Sequence, residues 1–223
     1  MTEIDTLEAL LRRRHSCRAF LDTPIPDATI ERILTTAQRV PSWCNAQPWQ
    51  VVLTRPDETD RLRKALHSHA KEAAHGSDIP FPSRYAGAYQ DRRRTCGWAL
   101  YEAVGVAKGD RDASTKQMME NFRLFGAPHL ALITTEADLG PYGVLDCGAY
   151  VTAFTLAAEA LGVASIPQAA LAGFSPFLRN WFDLPERRQI VCGISFGYKD
   201  LEHPSNQFRT ERAGLDEVVD WRG

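Results

Sequence analysis

Asp146-Cys-Gly-Ala-Tyr-Val-Thr-Ala-Phe-Thr-Leu-Ala-Ala-Glu-Ala-Leu161 is apolar nearly all the way round a helix, and Gly162 stops it. Ala149, Val151, Ala153, Phe154, Leu156, Ala157, Ala158 and Ala160 leave no broad polar face, so the helix must be covered on every side. Two arrangements satisfy that demand. Either the helix is central to the core, or a partner subunit covers one of its faces. The segments around it alternate in kind. Trp49–Thr54, His129–Thr135 and Gln189–Tyr198 have the apolar, β-branched character of strands. Leu7, Leu10 and Leu11 have helical spacing, as do Ile30, Ile33, Leu34 and Ala37, the latter opened by Asp27 as a cap and stopped by Pro41. Residues 57–75 read as helical, 76–95 as a loop punctuated by Gly76, Pro80, Pro82 and Gly87, and 96–106 and 112–124 as two more helices. The last 25 residues read as an extended tail. Few strands separated by helical stretches point to an α+β layered fold in one domain spanning 1–223.

At 223 residues, with 44% hydrophobic and 24% charged, the chain has enough apolar material for a sizeable core. A formal charge of −2 argues against nucleic acid as the main partner. Arginine nevertheless supplies 21 of the 26 basic residues, which suits fixed anion contacts and a high-GC coding bias equally well. The start of the chain has no apolar h-region, and no stretch suits a membrane span. Cys17, Cys44, Cys96, Cys147 and Cys192 are odd in number, widely spaced and never in a C-x-x-C pair. Free thiols in a reducing cytoplasm follow, rather than a disulfide frame or a zinc site. His67 and His69 lack acidic or thiolate companions, so no metal site is assigned. No G-x-G-x-x-G or G-x-x-x-x-G-K-[ST] occurs, which argues against a Rossmann dinucleotide site or a P-loop.

Three segments carry candidate chemistry. Arg14-His15-Ser16-Cys17-Arg18 packs two guanidinium forks and a hydroxyl into five residues, a donor set matched to phosphate; a solvated helix face is the plain alternative. Cys17 stands there between His15 and Arg18, an electropositive setting for a thiol, but a small packing residue is the favoured reading. Val40-Pro-Ser-Trp-Cys-Asn-Ala-Gln-Pro-Trp-Gln50 offers Ser42, Asn45 and Gln47 on a backbone stiffened by two prolines, suited to the edge of a flat heterocycle or to a plain helix-to-strand turn. Gly162-Val-Ala-Ser-Ile-Pro-Gln-Ala-Ala-Leu171 is a run of small residues that lets backbone approach a ligand, or simply follows a helix C-cap. No nucleophile with a local activating base is present, and no catalytic side chain is assigned.

In this order the segments resemble the FMN-dependent nitroreductase family. The matching residues are Arg14-His15-Ser16-x-Arg18, Pro41-Ser42-x-x-Asn45-x-Gln47-Pro48-Trp49, Leu161-Gly162 through Pro167-Gln168-Ala169, and Asn206-x-Phe208-Arg209-x-x-Arg212. Asn121-Phe122-Arg123-x-Phe125-x-Ala127-Pro128 and Asp91-x-Arg93-Arg94 resemble the branch that includes nitrobenzoate reductases. The resemblance spans the chain. It implies a mainly antiparallel sheet flanked by helices, with terminal extensions embracing the partner of a homodimer. Arg14, Ser16, Arg18 and Arg209 would hold the FMN phosphate and ribityl chain, and His15 the ribityl or pyrimidine side. Pro41, Ser42 and Asn45 would reach the flavin from the other subunit, while backbone N–H groups at Gln168, Ala169 and Ala170 would face its N5 edge. The implied activity is ping-pong hydride transfer from NAD(P)H to a small aromatic acceptor, a nitroarene or quinone. Reduction of halogenated or alkene substrates, or flavin binding without turnover, are the alternatives. Trp43 departs from the family, which usually has a small residue there; an indole would narrow the space above the ring. The 76–95 loop and Phe122 or Phe125 would shape the substrate pocket.

Overall fold

The computed structural model describes residues 2–223. Four strands form one antiparallel sheet: β1 (Gln50–Thr54), β2 (His129–Glu136), β3 (Ala164–Gln168) and β4 (Arg188–Gly197), in the order β1-β2-β4-β3. Seven α-helices surround it: α1 (Glu3–Arg13), α2 (Asp27–Ala37), α3 (Pro56–Glu72), α4 (Ala88–Ala103), α5 (Arg111–Met119), α6 (Gly140–Ala160) and α7 (Ser175–Trp181).

Side chains alternate across a strand, so each face of the sheet gathers its own core. Ala131 and Ile133 of β2 and Cys192, Ile194 and Phe196 of β4 pack against Tyr150, Phe154 and Ala157 of α6 and Ile30 and Ile33 of α2. Leu130 and Leu132 meet Leu62 and Leu66 of α3, Phe174, and Leu178 of α7 on the opposite face. Ile190 belongs to that second core although its parity matches Cys192. The reason is a β-bulge: Ile133 pairs with Cys192 but Thr134 with Ile190, so Val191 is the extra residue that inverts the alternation. Gly193 is required in β4, because a Cβ there would overlap the Leu171 side chain.

Asp27 is not a side-chain cap; Pro26 occupies that position, and Asp27 instead pairs with Arg55 at 2.8 Å. Residues 88–95 are helical, since α4 starts just after Gly87, whose φ of +53° turns the chain. The expected helix over 112–124 stops at Met119 and continues as a 3₁₀ turn with Leu124 and Phe125 in left-handed backbone. The small-residue run after Gly162 contains strand β3, with Pro167 tolerated because β3 is at the sheet edge. Helix α7 was not anticipated.

The N-terminal segment lies along the outer edge of β3. Ser16 bridges Ser165 in parallel, and the Cys17 N–H donates to the Ser165 carbonyl at 3.2 Å. Phe20 then bridges Lys199 just past β4. This double attachment brings the two ends of the sequence together.

Candidate flavin-binding site

Helix α1 ends at Arg13 and its cap, Arg14, turns extended (φ −59°, ψ 122°), which delivers residues 14–18 to the edge of β3. The returning tail meets them through one buried side chain. Asn206 Oδ1 accepts the Arg18 N–H at 2.7 Å, and its Nδ2 donates to the carbonyls of Ala19 at 2.9 Å and Asp200 at 2.8 Å. Arg14, His15, Ser16, Arg18, Arg209 and Arg212 therefore line one cavity of about 810 Å³, floored by Val151, Thr152 and Thr155 of α6. A second hollow of about 310 Å³ shares Ser16, Arg18 and Pro167 with the first and extends past Gln168, Ala169 and Ala170 to Leu100 and Tyr101 of α4.

The charge in the first cavity is unbalanced. Arg12 pairs with Glu8 and Arg13 with Glu159, but Arg14, Arg209 and Arg212 have no acidic partner among the described residues. Arg209 donates only to the carbonyls of Asn206 and Phe208. Burial first, and then the like charge of Arg212, pulls the Arg14 guanidinium below its ordinary value. Arg18 is lowered by burial and lies over the Phe208 ring at 5.4 Å. Converging guanidiniums without a carboxylate form a site for an anion.

His15 adds direction. Its Nδ1 lies 2.8 Å from the Arg13 carbonyl and so carries the proton that donates to it; Nε2 is buried without a partner. Burial holds the ring's pKa below the usual histidine value, which favours the neutral form. The residue lines the cavity, and its neutral ring holds Nε2 as an acceptor with no partner among the described residues. Cys17, by contrast, is buried and its thiol is pushed up to about 11. It bonds to the Ala19 carbonyl at 3.1 Å as a packing group, the role the sequence favours, because burial outweighs the nearby charges of Lys199 and Arg18.

In the second hollow, the Gln168 side chain is occupied internally. Its Nε2 donates to the Asn121 carbonyl at 2.9 Å and its Oε1 accepts from Ser195 Oγ at 2.6 Å. Gln168, Ala169 and Ala170 therefore offer backbone rather than a side-chain amide. Phe125 reaches this hollow, whereas Phe122 lies wholly in the core against Phe174. Residues 76–95 line neither cavity.

Pro41 and Ser42 lie elsewhere, in a hollow of about 410 Å³ with Leu145, Asp146, Gly148, Ala149 and Thr152. Asn45 projects from the same exposed loop. Cys44, Asn45 and Gln47 are all left-handed, with φ of 49–55°, strain that the Trp43 N–H bond to Asp146 (3.0 Å) and the Gln47 N–H bond to Ser42 Oγ (2.9 Å) help hold. Within one chain this group is not part of the arginine cavity; only Thr152 borders both hollows.

Among the lining residues, Arg212, Thr152 and Thr155 were not assigned roles from sequence. The two threonines are one turn apart in an otherwise apolar helix, and that interruption was the readable signal.

Fold and cavity together define a chain built like a flavin-dependent oxidoreductase, with an anion cradle at one end of a long groove and small backbone-exposing residues at the other. The family model described as "Nitroreductase family" matches residues 11–198, and the chain belongs to that family. It is similar to nitroreductase NfnB of Mycolicibacterium smegmatis, 36% identical over 220 residues covering 95% of this chain and 91% of that protein. It is 31% identical to the 4-nitrobenzoate reductase of a Nocardioides species over 97% of this chain and 90% of that one. The crystal structure of FMN-dependent NfnB from Mycobacterium smegmatis in complex with NADPH superposes with a TM-score of 0.94, at 32% identity and with all of both chains covered. The antiparallel, helix-flanked fold is that of a nitroreductase.

Proposed function

We propose that this chain binds FMN in the groove between residues 14–18, β3 and the tail, and works as an NAD(P)H oxidoreductase on nitroaromatic or quinone acceptors. The carrying observation is the cradle of Arg14, Arg209 and Arg212, three guanidiniums lining one cavity with no acidic partner among the described residues. A phosphate monoester relieves their mutual repulsion and accepts from their forks. His15 Nε2 accepts from a ribityl hydroxyl or the pyrimidine edge. Backbone at Gln168, Ala169 and Ala170 borders the redox edge of the ring.

FMN, when bound, supplies two-electron chemistry, taking hydride from NAD(P)H and passing reducing equivalents to the acceptor. The protein orients the ring, excludes water and places positive charge near the pyrimidine side. Arg18, half-buried and lining both hollows, is the fixed cation assigned to that purpose.

The working unit is a homodimer, one 1–223 unit per protomer. Support comes from apolar surface that a single chain leaves bare: Tyr142, Leu145 and Trp43 beside the Pro41–Asn45 loop, and Leu215, Val218 and Trp221 in the tail. Pro41, Ser42 and Asn45 then complete the partner's flavin site. Five unpaired cysteines agree with the cytoplasm as its location, and no described helix is long and apolar enough to cross a membrane.

The test is spectroscopic. The purified protein reconstituted with FMN is expected to show a flavin spectrum that bleaches anaerobically with NADPH and recovers with a nitroarene. Arg209→Ala is expected to weaken FMN by roughly ten- to hundredfold, the range for a lost charge-assisted bond, without altering the far-UV dichroism. A colourless protein that cannot take up FMN ends the proposal.

A further inference from the structure

Helix α4 reaches beyond the flavin groove with a cluster that the FMN cradle does not use. Cys96 lines the arginine cavity, and Leu100 and Tyr101 line the second hollow. Residues three, four and seven apart share a helix face, so Arg93 follows Cys96 and Leu100 along the side that borders the groove. At a rise of 1.5 Å per residue, the seven residues from Leu100 to Arg93 span about 10 Å, which falls within the length of an extended dinucleotide.

The Arg93 guanidinium lies over the Tyr85 ring, 5.2 Å from its centroid. Both residues are exposed, and Arg93 has no acidic partner among the described residues. Arg84, beside Tyr85, is exposed and also without one. Of the neighbouring charges, Arg92 is taken by Glu217 of the tail at 2.9 Å, Arg94 is exposed and has no acidic partner among the described residues, and Asp91, two residues from Arg93, lies on the opposite side of the helix. An exposed guanidinium over an exposed aromatic ring, with no carboxylate partner among the described residues, matches a nucleotide that carries both a purine face and a phosphate. Lysine would supply charge without the fork or the stacking surface.

We propose that the Tyr85–Arg93 pair, with Arg84 beside it, is the subsite for the adenosine 2′-phosphate half of NADPH, making this chain selective for NADPH over NADH. The inference rests on the flavin-site reading above and adds the residues that choose the coenzyme. The 2′-phosphate accepts from the Arg93 fork while the purine stacks on the exposed aromatic surface. NADH lacks the phosphate and gains nothing from Arg93.

The test uses the FMN-loaded protein and two adenosine probes, adenosine 2′,5′-bisphosphate and 5′-AMP, in calorimetric titrations. The wild type is expected to bind the bisphosphate roughly ten- to hundredfold more tightly, the range for a charge-assisted phosphate contact. Arg93→Ala is expected to erase that difference and to lower kcat/KM for NADPH about tenfold or more, with kcat/KM for NADH within about twofold. Tyr85→Ala is expected to weaken both probes together. A wild type that binds the two probes equally, or an Arg93→Ala variant that keeps the preference, overturns the subsite even if the variant's kinetics change. Loss of FMN binding or of all NAD(P)H oxidation in the wild type would instead strike the flavin reading, so the two failures are distinguishable.

Discussion

Asn206 is a short side chain with a long reach in sequence. It spends one acceptor and both donors on Arg18, Ala19 and Asp200, joining residues 188 positions apart. Without it, the segment bearing Arg14 to Arg18 and the turn bearing Arg209 share, among the described residues, the Arg18–Phe208 contact but no side-chain hydrogen bond. Aspartate is nearly the same size but cannot donate, so Asn206→Asp turns two hydrogen bonds into oxygen facing oxygen in a buried site. The expected cost is about 2–4 kcal/mol of stability, read by denaturant titration, since unsatisfied buried groups carry their full desolvation penalty. On the proposed function, its flavin phenotype is also specific: FMN weakens more than riboflavin, because what is displaced is the phosphate cradle and not the ring pocket. Equal losses for the two flavins would make Asn206 merely structural. The asparagine was quoted with Arg209 in one motif, yet its amide geometry has no counterpart in spacing alone.

The elements differ in how clearly the sequence announces them. β1, β2 and β4 are runs of β-branched and apolar residues, helices α1 and α2 have apolar residues at helical spacing, and α6 is apolar nearly all round; all were legible. β3 was not, because Ala164-Ser-Ile-Pro-Gln168 is short, contains proline, and becomes a strand only by pairing with β4. The start of α4 was hidden by Gly87 and the tyrosines around it. Of the site, the residue types at both chain ends were readable, but their convergence depends on bridges to β3 and β4 that only the fold supplies. His129 shows an element acting on stability. At the start of β2 its Nε2 accepts the Ile25 N–H at 3.0 Å and its Nδ1 lies 3.2 Å from the Thr54 carbonyl, tying β2 to the segment before α2 and to the end of β1. Burial lowers its pKa below the ordinary value of about 6.5. The unfolded chain therefore binds more protons just below that pH, and stability falls as pH drops through and below it. Protonation would set a second N–H against that of Ile25. Denaturant midpoints are expected to decline between pH 7 and pH 5, and to decline less in His129→Gln; His15 and His67, lowered in the same direction, account for the remainder. An unchanged slope in the variant would remove His129 from this account.

At the scale of the whole molecule, α6 poses the question that the sequence left open between an internal core helix and one shared with a partner. In one chain, Gly143, Cys147, Tyr150, Phe154 and Ala158 are buried, while Tyr142, Leu145, Gly148 and Thr152 form a bare stripe. Leu145 is 66% exposed, and Trp43, at 64%, adds its indole to that stripe by packing 5.1 Å from Tyr142. Gly148 separates the two readings by sign. A Cβ built on it meets nothing within 4 Å, so a larger side chain has room in the isolated chain. Removing a helical glycine should then stabilise a monomer by about 0.5–1 kcal/mol. A homodimer that covers this stripe would bring its partner against Gly148, and Gly148→Leu would force the two apart. The expected result is a shift from dimer to monomer by sedimentation equilibrium, a fall in Tm that depends on protein concentration, and loss of FMN, because Pro41, Ser42 and Asn45 no longer meet the partner's cradle. A Gly148→Leu protein that remains at its original mass, melts higher and retains flavin would show that this stripe faces water, and the second copy would have to be sought at the tail.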